Sequence, residues 1–368
     1  VTTVGIVGWR GMVGSVLLER MRAEKDFQHF DPIFFSTSQA GKTGPLVGKG
    51  AHPLRDANDI EQLKEMDMIV SCQGGDYTTS VHGSLRKTGW SGFWIDAASS
   101  LRMSESATII LDPVNHKNID AALKRGTKDF IGGNCTVSLM LMAIGALFEK
   151  GWVEWVNSST YQAASGAGAR NMRELVHQMA KIGEVPAATD PKTSALLLDQ
   201  QVIDAMRSKS FPISEFGVPL AGSLIPWIDS GVSDGQTREE WKGHVETNKI
   251  LGLSPEIPVD GTCVRIGAMR CHAQALTIKL KKNVPLKDIE DALSNGNEWA
   301  KFIPNNKEAT VAELSPAACS GTLSVPVGRV RKMRMGDEYL QVYTVGDQLL
   351  WGAAEPLRRM VLIALGVA

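Results

Sequence analysis

The run Thr2-Thr3-Val4-Gly5-Ile6-Val7 passes directly into Gly8-Trp9-Arg10-Gly11-Met12-Val13-Gly14 and then into a stretch with apolar residues at Val13, Val16, Leu17 and Met21. Strand, glycine turn and helix in that order commit the start of the chain to an α/β unit. The G-x-x-G-x-x-G spacing is a variant of the dinucleotide fingerprint: one glycine permits the tight turn, another admits a pyrophosphate close to the backbone, and the third lets helix and strand pack. A glycine turn with no ligand is the bland alternative. The strand before it and the helix after it favour the nucleotide, with Gly8, Gly11 and Gly14 as its cradle.

The second strand, Ile33-Phe34-Phe35, ends in Ser36-Thr37-Ser38, where an NAD-binding chain usually carries an acidic residue for the ribose hydroxyls. No carboxylate stands there to repel a 2′-phosphate, and the three hydroxyls together with Arg10 offer it hydrogen bonds, so the expected cofactor is NADP(H). Residues 39–60 read as surface loop. Met68 to Cys72 is a buried strand whose end places Gln73 where a cofactor contact would stand, with Cys72 read as core. Strands at 93–96 and 109–111, a helix over 115–125 and Phe130-Ile131 complete a doubly wound α/β half. In the loop Ser99-Ser100-Leu101-Arg102, the arginine is either a solvated cation or an anchor for phosphate.

Gly132-Gly133-Asn134-Cys135-Thr136 then joins a strand end to Ser138–Ile144, which is apolar on every side and so reads as a helix buried all round. Cys135 falls in that helix's first turn, behind a potential Asn134 cap. Free backbone N–H groups and the helix dipole there are expected to lower the thiol's pKa. The alternative is a structural core cysteine.

After Cys135 the pattern changes. A strand from Trp152 to Gln162 leads through a glycine-rich turn at Ser165-Gly166 to a helix with Met172, Leu175, Val176, Met179 and Ile182 on one face. Residues 183–236 give no clear elements. Thr237 followed by Glu240 is a capping box, and the helix it opens puts Glu239 and Lys242 on one face, where a solvated ion pair is the ordinary reading. The alternating strands 262–266 and 272–280 suggest an antiparallel sheet with one covered face. His272 shares a face with Leu276 and Ile278, a setting more often that of a satisfied core histidine than of a catalyst, whereas Arg265 in mid-strand calls for an anionic partner. Strands near 325–333 and 339–345 enlarge the sheet. The last helix, 349–368, is expected to return to the first half.

A length of 368 residues favours two domains. The 39 basic and 40 acidic residues leave no positive excess for nucleic acid or an anionic membrane, which points to a small-molecule site. Five cysteines without a C-x-x-C pair indicate neither a disulfide framework nor a metal site and fit a reducing cytoplasm. No apolar run approaches the ~20 residues of a membrane span, and the first residues carry no export pattern.

A first-turn cysteine, a nucleotide site and a separate antiparallel domain suit an acyl-enzyme dehydrogenase. Gly8 to Gly14, Gly132 to Val137, Tyr161-Gln162-Ala163-Ala164-Ser165-Gly166 and Arg265 to His272 resemble the aspartate-β-semialdehyde dehydrogenases of the Gram-negative bacterial type. The likeness runs nearly end to end and is loosest across 180–212.

The resemblance implies a Rossmann-type NADP-binding domain (1–133, completed by 349–368) and an α+β catalytic and dimerisation domain (134–348) with a mainly antiparallel sheet. It further implies NADPH-dependent reductive dephosphorylation of L-aspartyl 4-phosphate by a cytoplasmic homodimer, a step toward lysine (by way of diaminopimelate), methionine, threonine and isoleucine. By motif position Cys135 is the nucleophile, His272 the general acid/base and Gln162 the residue that orients the acyl group. Arg265 takes the α-carboxylate, Glu239 the ammonium, and Arg102, Asn134 and Lys242 the phosphoryl group. Arg10, Gly11, Met12, Val13, Thr37, Ser38, Gln73, Ser165, Gly166 and Gln348 are the implied cofactor contacts. Backbone N–H groups at the Cys135 turn are expected to stabilise the oxyanion. Rival readings are another acyl-phosphate reductase, acting on N-acetylglutamyl phosphate or glyceraldehyde 3-phosphate, and a non-catalytic NADP-binding sensor.

Overall fold

The computed structural model describes residues 1–48 and 50–367; Lys49, in the expected 39–60 loop, and Ala368, at the end of the expected last helix, lie outside the described residues. The first sheet contains β1 (Thr3–Val7), β2 (Asp31–Ser36), β3 (Arg55–Asp56), β4 (Met68–Ser71), β5 (Phe93–Asp96), β6 (Ala107–Ile110) and β7 (Asp129–Gly132). All are parallel, in the order β3-β2-β1-β4-β5-β7-β6. Helices α1 (Met12–Ala23), α2 (Ile60–Leu63), α3 (Gly75–Lys87) and α4 (Asp112–Lys124) accompany it. The order reverses beside β1, so a crevice opens beyond the carboxyl ends of β1 and β4. Gly8, with φ +75°, sits there; a Cβ would lie 2.5 Å from the backbone of Cys72 and Gln73, so glycine alone lets the two turns approach. The expected 39–60 loop contributes the short edge strand β3.

The second sheet contains β8 (Val153–Gln162), β9 (Leu224–Ile225), β10 (Val259–Ile266), β11 (His272–Leu280), β12 (Ala300–Phe302), β13 (Val325–Met333) and β14 (Gly336–Gly346), in the order β12-β13-β14-β11-β8-β10-β9. Most of its pairings are antiparallel, but β10, read as antiparallel, runs parallel to β8. The connection from β8 to β10 is long and helical, as a parallel crossover requires. It holds α6 (Ala169–Gly183), α7 (Ala195–Arg207) and α8 (Arg238–Leu251), following α5 (Cys135–Glu149). The remaining helices are α9 (Leu286–Ser294), α10 (Lys307–Glu313), α11 (Pro316–Cys319) and α12 (Glu355–Leu365), the last preceded by a wide turn over Leu350–Ala354.

Helix α5 is buried all round, with Leu139, Leu141, Ile144 and Leu147 in one core with Val156 of β8, Leu276 and Ile278 of β11 and Leu340 of β14. Each such side chain contributes about 1.5–3 kcal/mol, so the helix that starts at Cys135 is fixed along its length. Helix α12 places Leu357, Met360 and Val361 in the core of Val4, Ile6 and Leu17. Helix α6 departs from expectation: Val176 and Met179 are exposed, while Glu174 and Gln178 are buried. The reason is hydrogen bonding. Glu174 accepts from the N–H groups of Glu215 and Phe216, and Gln178 from those of Leu220 and Ala221, satisfying a loop that folds under the helix. Among the described residues no helix is long and apolar enough to cross a membrane.

The capping box at Thr237 forms as the sequence requires: Thr237 Oγ1 accepts from Glu240 N (3.3 Å) and Glu240 Oε2 from Thr237 N (2.7 Å). Replacing Thr237 with Ala is expected to lower unfolding stability by about 1 kcal/mol. Denaturant titration checks this; an unchanged midpoint and slope would remove the cap from the account of α8.

Candidate active site

A cleft of about 620 Å³ lies between the carboxyl ends of the first sheet and the edge of the second, and it is lined by Met12, Val13, Arg102, Asn134, Cys135 and Gln162. Ser165, Gly166, Glu239, Lys242, Arg265 and Gln348 line it too, so twelve of the residues singled out from sequence share one cavity. Gly8, Gly11 and Gly14 underlie the β1 turn rather than lining this cleft. Thr37, Ser38 and Gln73 are exposed beyond it, and His272 is fully buried behind it.

Asn134 is the N-cap of α5. Its Oδ1 accepts from the N–H groups of Thr136 (2.9 Å) and Val137 (3.2 Å), and its Nδ2 donates to Glu239 Oε1 (2.9 Å). Its own N–H donates to Glu246 Oε2 (2.6 Å). The expectation of several free N–H groups for an oxyanion is therefore corrected: within 134–137 only the Cys135 N–H has no acceptor among the described residues. The expected low thiol pKa is corrected as well. Cys135 is half-buried, and burial pushes its thiol up to about 12; Glu239 adds to the rise, while Arg265, Arg102 and Lys242 oppose it. The cap has already taken the donors that would have favoured the thiolate.

Glu239 and Lys242 form an ion pair of 3.0 Å that is not the solvated pair of the ordinary reading, because Glu239 is buried. Burial pushes the Glu239 carboxyl up, but Lys242 and the amide hydrogens of Asn134 and Gln162 more than offset it, leaving it below the usual carboxylate range. Lys242 also meets Asp229 at 2.9 Å, and burial is outweighed by the two carboxylates, which raise its pKa. Gln162 donates to Glu239 (3.2 Å) and accepts from Thr160 Oγ1 (2.9 Å).

Arg265 is buried, and its recorded contact is Nη1 to the carbonyl of Ala163 at 2.8 Å; no carboxylate among the described residues forms an ion pair with it. Burial lowers its pKa, with Cys135 and Glu239 opposing. A desolvated guanidinium of this kind favours an incoming carboxylate. Arg102, expected in a loop, is buried too and donates to Glu246 Oε1 at 2.9 Å.

His272 accepts from Ala163 N at 3.0 Å through Nδ1, which leaves the ring proton on Nε2; that atom is buried with no partner among the described residues. Burial, then Arg265, lowers its pKa to about 3. A Cβ on Gly166 would stand 2.7 Å from Arg265 Nη1 and 3.1 Å from His272 Nε2, so a larger residue would push on both side chains. Gln348 ties two turns of the second half together, accepting from Cys271 N (2.7 Å) and donating to Ser165 Oγ.

For the cofactor, Arg10 Nη2 reaches Ser38 Oγ at 3.3 Å, so the cation and one hydroxyl stand together at the end of β2. Ser36, counted with them in the sequence, turns inward, and its Oγ accepts from Ser38 N and Gln39 N. Thr37 and Ser38 remain exposed. The turn spaced by Gly8 and the absence of a carboxylate at Ser36-Thr37-Ser38 fit a dinucleotide bearing a 2′-phosphate.

Residues 3–122 match the family described as semialdehyde dehydrogenase, NAD binding domain, and residues 144–351 match semialdehyde dehydrogenase, dimerisation domain. Aspartate semialdehyde dehydrogenase from Francisella tularensis is 48% identical, covers 99% of this chain and 100% of its own, and superposes with a TM-score of 0.94. The chain belongs to the semialdehyde dehydrogenase family.

Two more distant members of that family share the fold. Aspartate semialdehyde dehydrogenase II of Vibrio cholerae, solved with ASA, is 23% identical (99% and 98% coverage, TM-score 0.80). The Candida albicans enzyme, solved with NADP, is 16% identical (100% of both chains, TM-score 0.65).

Sequence reasoning missed Glu246, Asp229 and Gly352. A Cβ on Gly352 would lie 2.8 Å from the Cys135 Cβ. Glu246 carried a readable signal, since it follows Glu239 and Lys242 at positions seven and four residues on, along the same face of α8.

With the thiol pKa this high, alkylation of Cys135 by iodoacetamide, without substrate or cofactor, is expected to rise about tenfold per pH unit from about pH 7 to about pH 10. Peptide mass spectrometry separates Cys135 from the other cysteines. A rate that levels off below about pH 8 would contradict the burial argument.

Proposed function

We propose that this protein is an aspartate-semialdehyde dehydrogenase that converts L-aspartyl 4-phosphate and NADPH, reversibly, to L-aspartate 4-semialdehyde, NADP and phosphate. The observation that carries this reading is a cysteine at the head of a buried helix, facing a cleft it shares with a buried arginine that no carboxylate among the described residues pairs. The 48% identical relative of that name supports the substrate. The product lies on the way to lysine, methionine, threonine and isoleucine.

Arg265 takes the substrate α-carboxylate through its planar fork. Glu239 exchanges part of its bond with Lys242 for the substrate ammonium, and Lys242 and Arg102, with Asn134, hold the phosphoryl group. The Cys135 sulfur attacks the acyl carbon; a C–S bond forms, the bond to the phosphate oxygen breaks, and the thiol proton goes to the departing group, which leaves as hydrogen phosphate. Gln162 orients the acyl group. NADPH, when bound, would supply hydride to the thioester carbon; the C–S bond then breaks, the semialdehyde leaves, and the sulfur regains a proton from solvent. Gly8, Gly11 and Gly14 with Met12 and Val13 cradle it, Arg10, Thr37 and Ser38 hold its 2′-phosphate, and Gln73, Ser165, Gly166 and Gln348 complete the contacts. His272, with its proton on Nε2, donates to the oxygen that gains charge; the neutral tautomer supports the acid half of an acid/base role.

Residues 1–133 with 349–368 form the NADP domain in this reading, and 134–348 the catalytic one. The protein is a homodimer through that second domain, and the exposed Val176, Met179, Leu196 and Leu197 support an apolar contact there. Unpaired cysteines fit a reducing cytoplasm.

The test is NADPH formation from aspartate semialdehyde, NADP and phosphate. Cys135→Ala is expected to abolish turnover while NADP(H) still binds by calorimetry; appreciable activity in that variant would end the covalent mechanism. His272→Ala should lose on the order of 10²–10⁴ in kcat. Arg265→Lys should mainly raise KM for the semialdehyde, and an unchanged KM would remove the carboxylate role.

A further inference from the structure

Glu246 is buried, and each of its carboxylate oxygens is committed: Oε1 to Arg102 Nη1 (2.9 Å) and Oε2 to the backbone N–H of Asn134 (2.6 Å). These donors come from different segments. Arg102 belongs to the loop after β5, and Asn134 to the turn that presents Cys135. On the next turn of α8, Lys249 Nζ donates to the carbonyls of Arg102 (2.7 Å) and Ser104 (2.6 Å), holding the backbone of the same loop. Arg102 Nη2 reaches Ala97 O at 3.4 Å, and its Nε is buried without a partner among the described residues.

We propose that Glu246 is a positioning residue for the phosphoryl subsite: it locks the Arg102 guanidinium and the nucleophile's turn into one fixed relation through α8. The proposal rests on the reading above in which Arg102 holds the phosphoryl group. Glu246 touches neither substrate nor sulfur; it acts through Arg102 and Asn134. A carboxylate is suited to this because it can accept from both donors at once, with charge assistance at the guanidinium. A glutamine has one acceptor oxygen and would set its NH₂ against the other donor. Without that carboxylate the guanidinium keeps its charge but not its aim, and the loss of a fixed fork opposite the phosphate outweighs the gain in unpaired charge.

The experiment compares wild type, E246Q, E246D, R102K and the double variant R102K/E246Q, varying inorganic phosphate and aspartate semialdehyde separately in the oxidising direction. E246Q is expected to raise KM for phosphate about tenfold or more, the usual scale for a lost charge-assisted contact, while KM for the semialdehyde stays within about twofold. E246D, which keeps the charge on a shorter arm, should lie between wild type and E246Q. In the double variant the effect of E246Q should shrink, because its route through Arg102 is already impaired. Calorimetric titration of inorganic phosphate into the NADP-loaded proteins needs no turnover, so a wild type inactive on aspartate semialdehyde would overturn the functional reading alone. Equal phosphate affinity in wild type and E246Q, or in wild type and E246D should E246Q fail to fold, would overturn this proposal. So would a loss that falls equally on both substrates, or one fully additive with R102K.

Discussion

Asn134 stands where three structural demands meet. Its side-chain carbonyl oxygen closes the start of α5, its amide nitrogen holds the Glu239 carboxylate, and its backbone N–H is taken by Glu246. Helix α5 is rooted in the core of the second sheet, and the turn before it ends the strand β7 of the first. The position of the sulfur therefore depends on both sheets, and any shift between them is felt at the residue after the cap. The cap also explains the thiol: donors that might have stabilised a thiolate are satisfied by an amide oxygen, and burial then sets the protonation state.

Charge in the cleft follows a pattern. Glu239, Lys242 and Asp229 form a chain of ion pairs, and Arg102 pairs with Glu246, whereas Arg265 donates to a backbone carbonyl and has no carboxylate partner among the described residues. Burying an arginine this way is costly unless an anion arrives, which singles out Arg265 as the group most in need of a substrate carboxylate. His272 has a similar character. It is held neutral, with one nitrogen fixed by the Ala163 N–H and the other left to face whatever oxygen the reaction develops.

Local signals in the sequence were strong where local physics decides. The glycine turn after β1, the buried helix behind Cys135 and the Thr237–Glu240 box all depend on residues within a few positions of one another. What escaped depends on distance. The Arg102–Glu246 contact spans 144 positions, and neither residue announces the other. Helix α6 buries Glu174 and Gln178 because a loop about forty residues later needs their oxygens, so its apolar stripe misleads about which face is inside. Helix α7, with none of its residues fully buried, had no core-facing pattern to read. The inward turn of Ser36 was equally invisible, since three adjacent hydroxyls look alike until the backbone shows which one points away.

The claim on which all of this turns is that the Cys135 sulfur carries the acyl group. The direct measurement is peptide mass spectrometry after acid quenching of the protein incubated with aspartate semialdehyde and NADP in phosphate-free buffer. The account predicts about one NADPH formed per active site and an aspartyl adduct on the peptide containing Cys135, discharged when phosphate is added before quenching. NADPH formation with Cys135 unmodified, or an adduct on another residue, would contradict it.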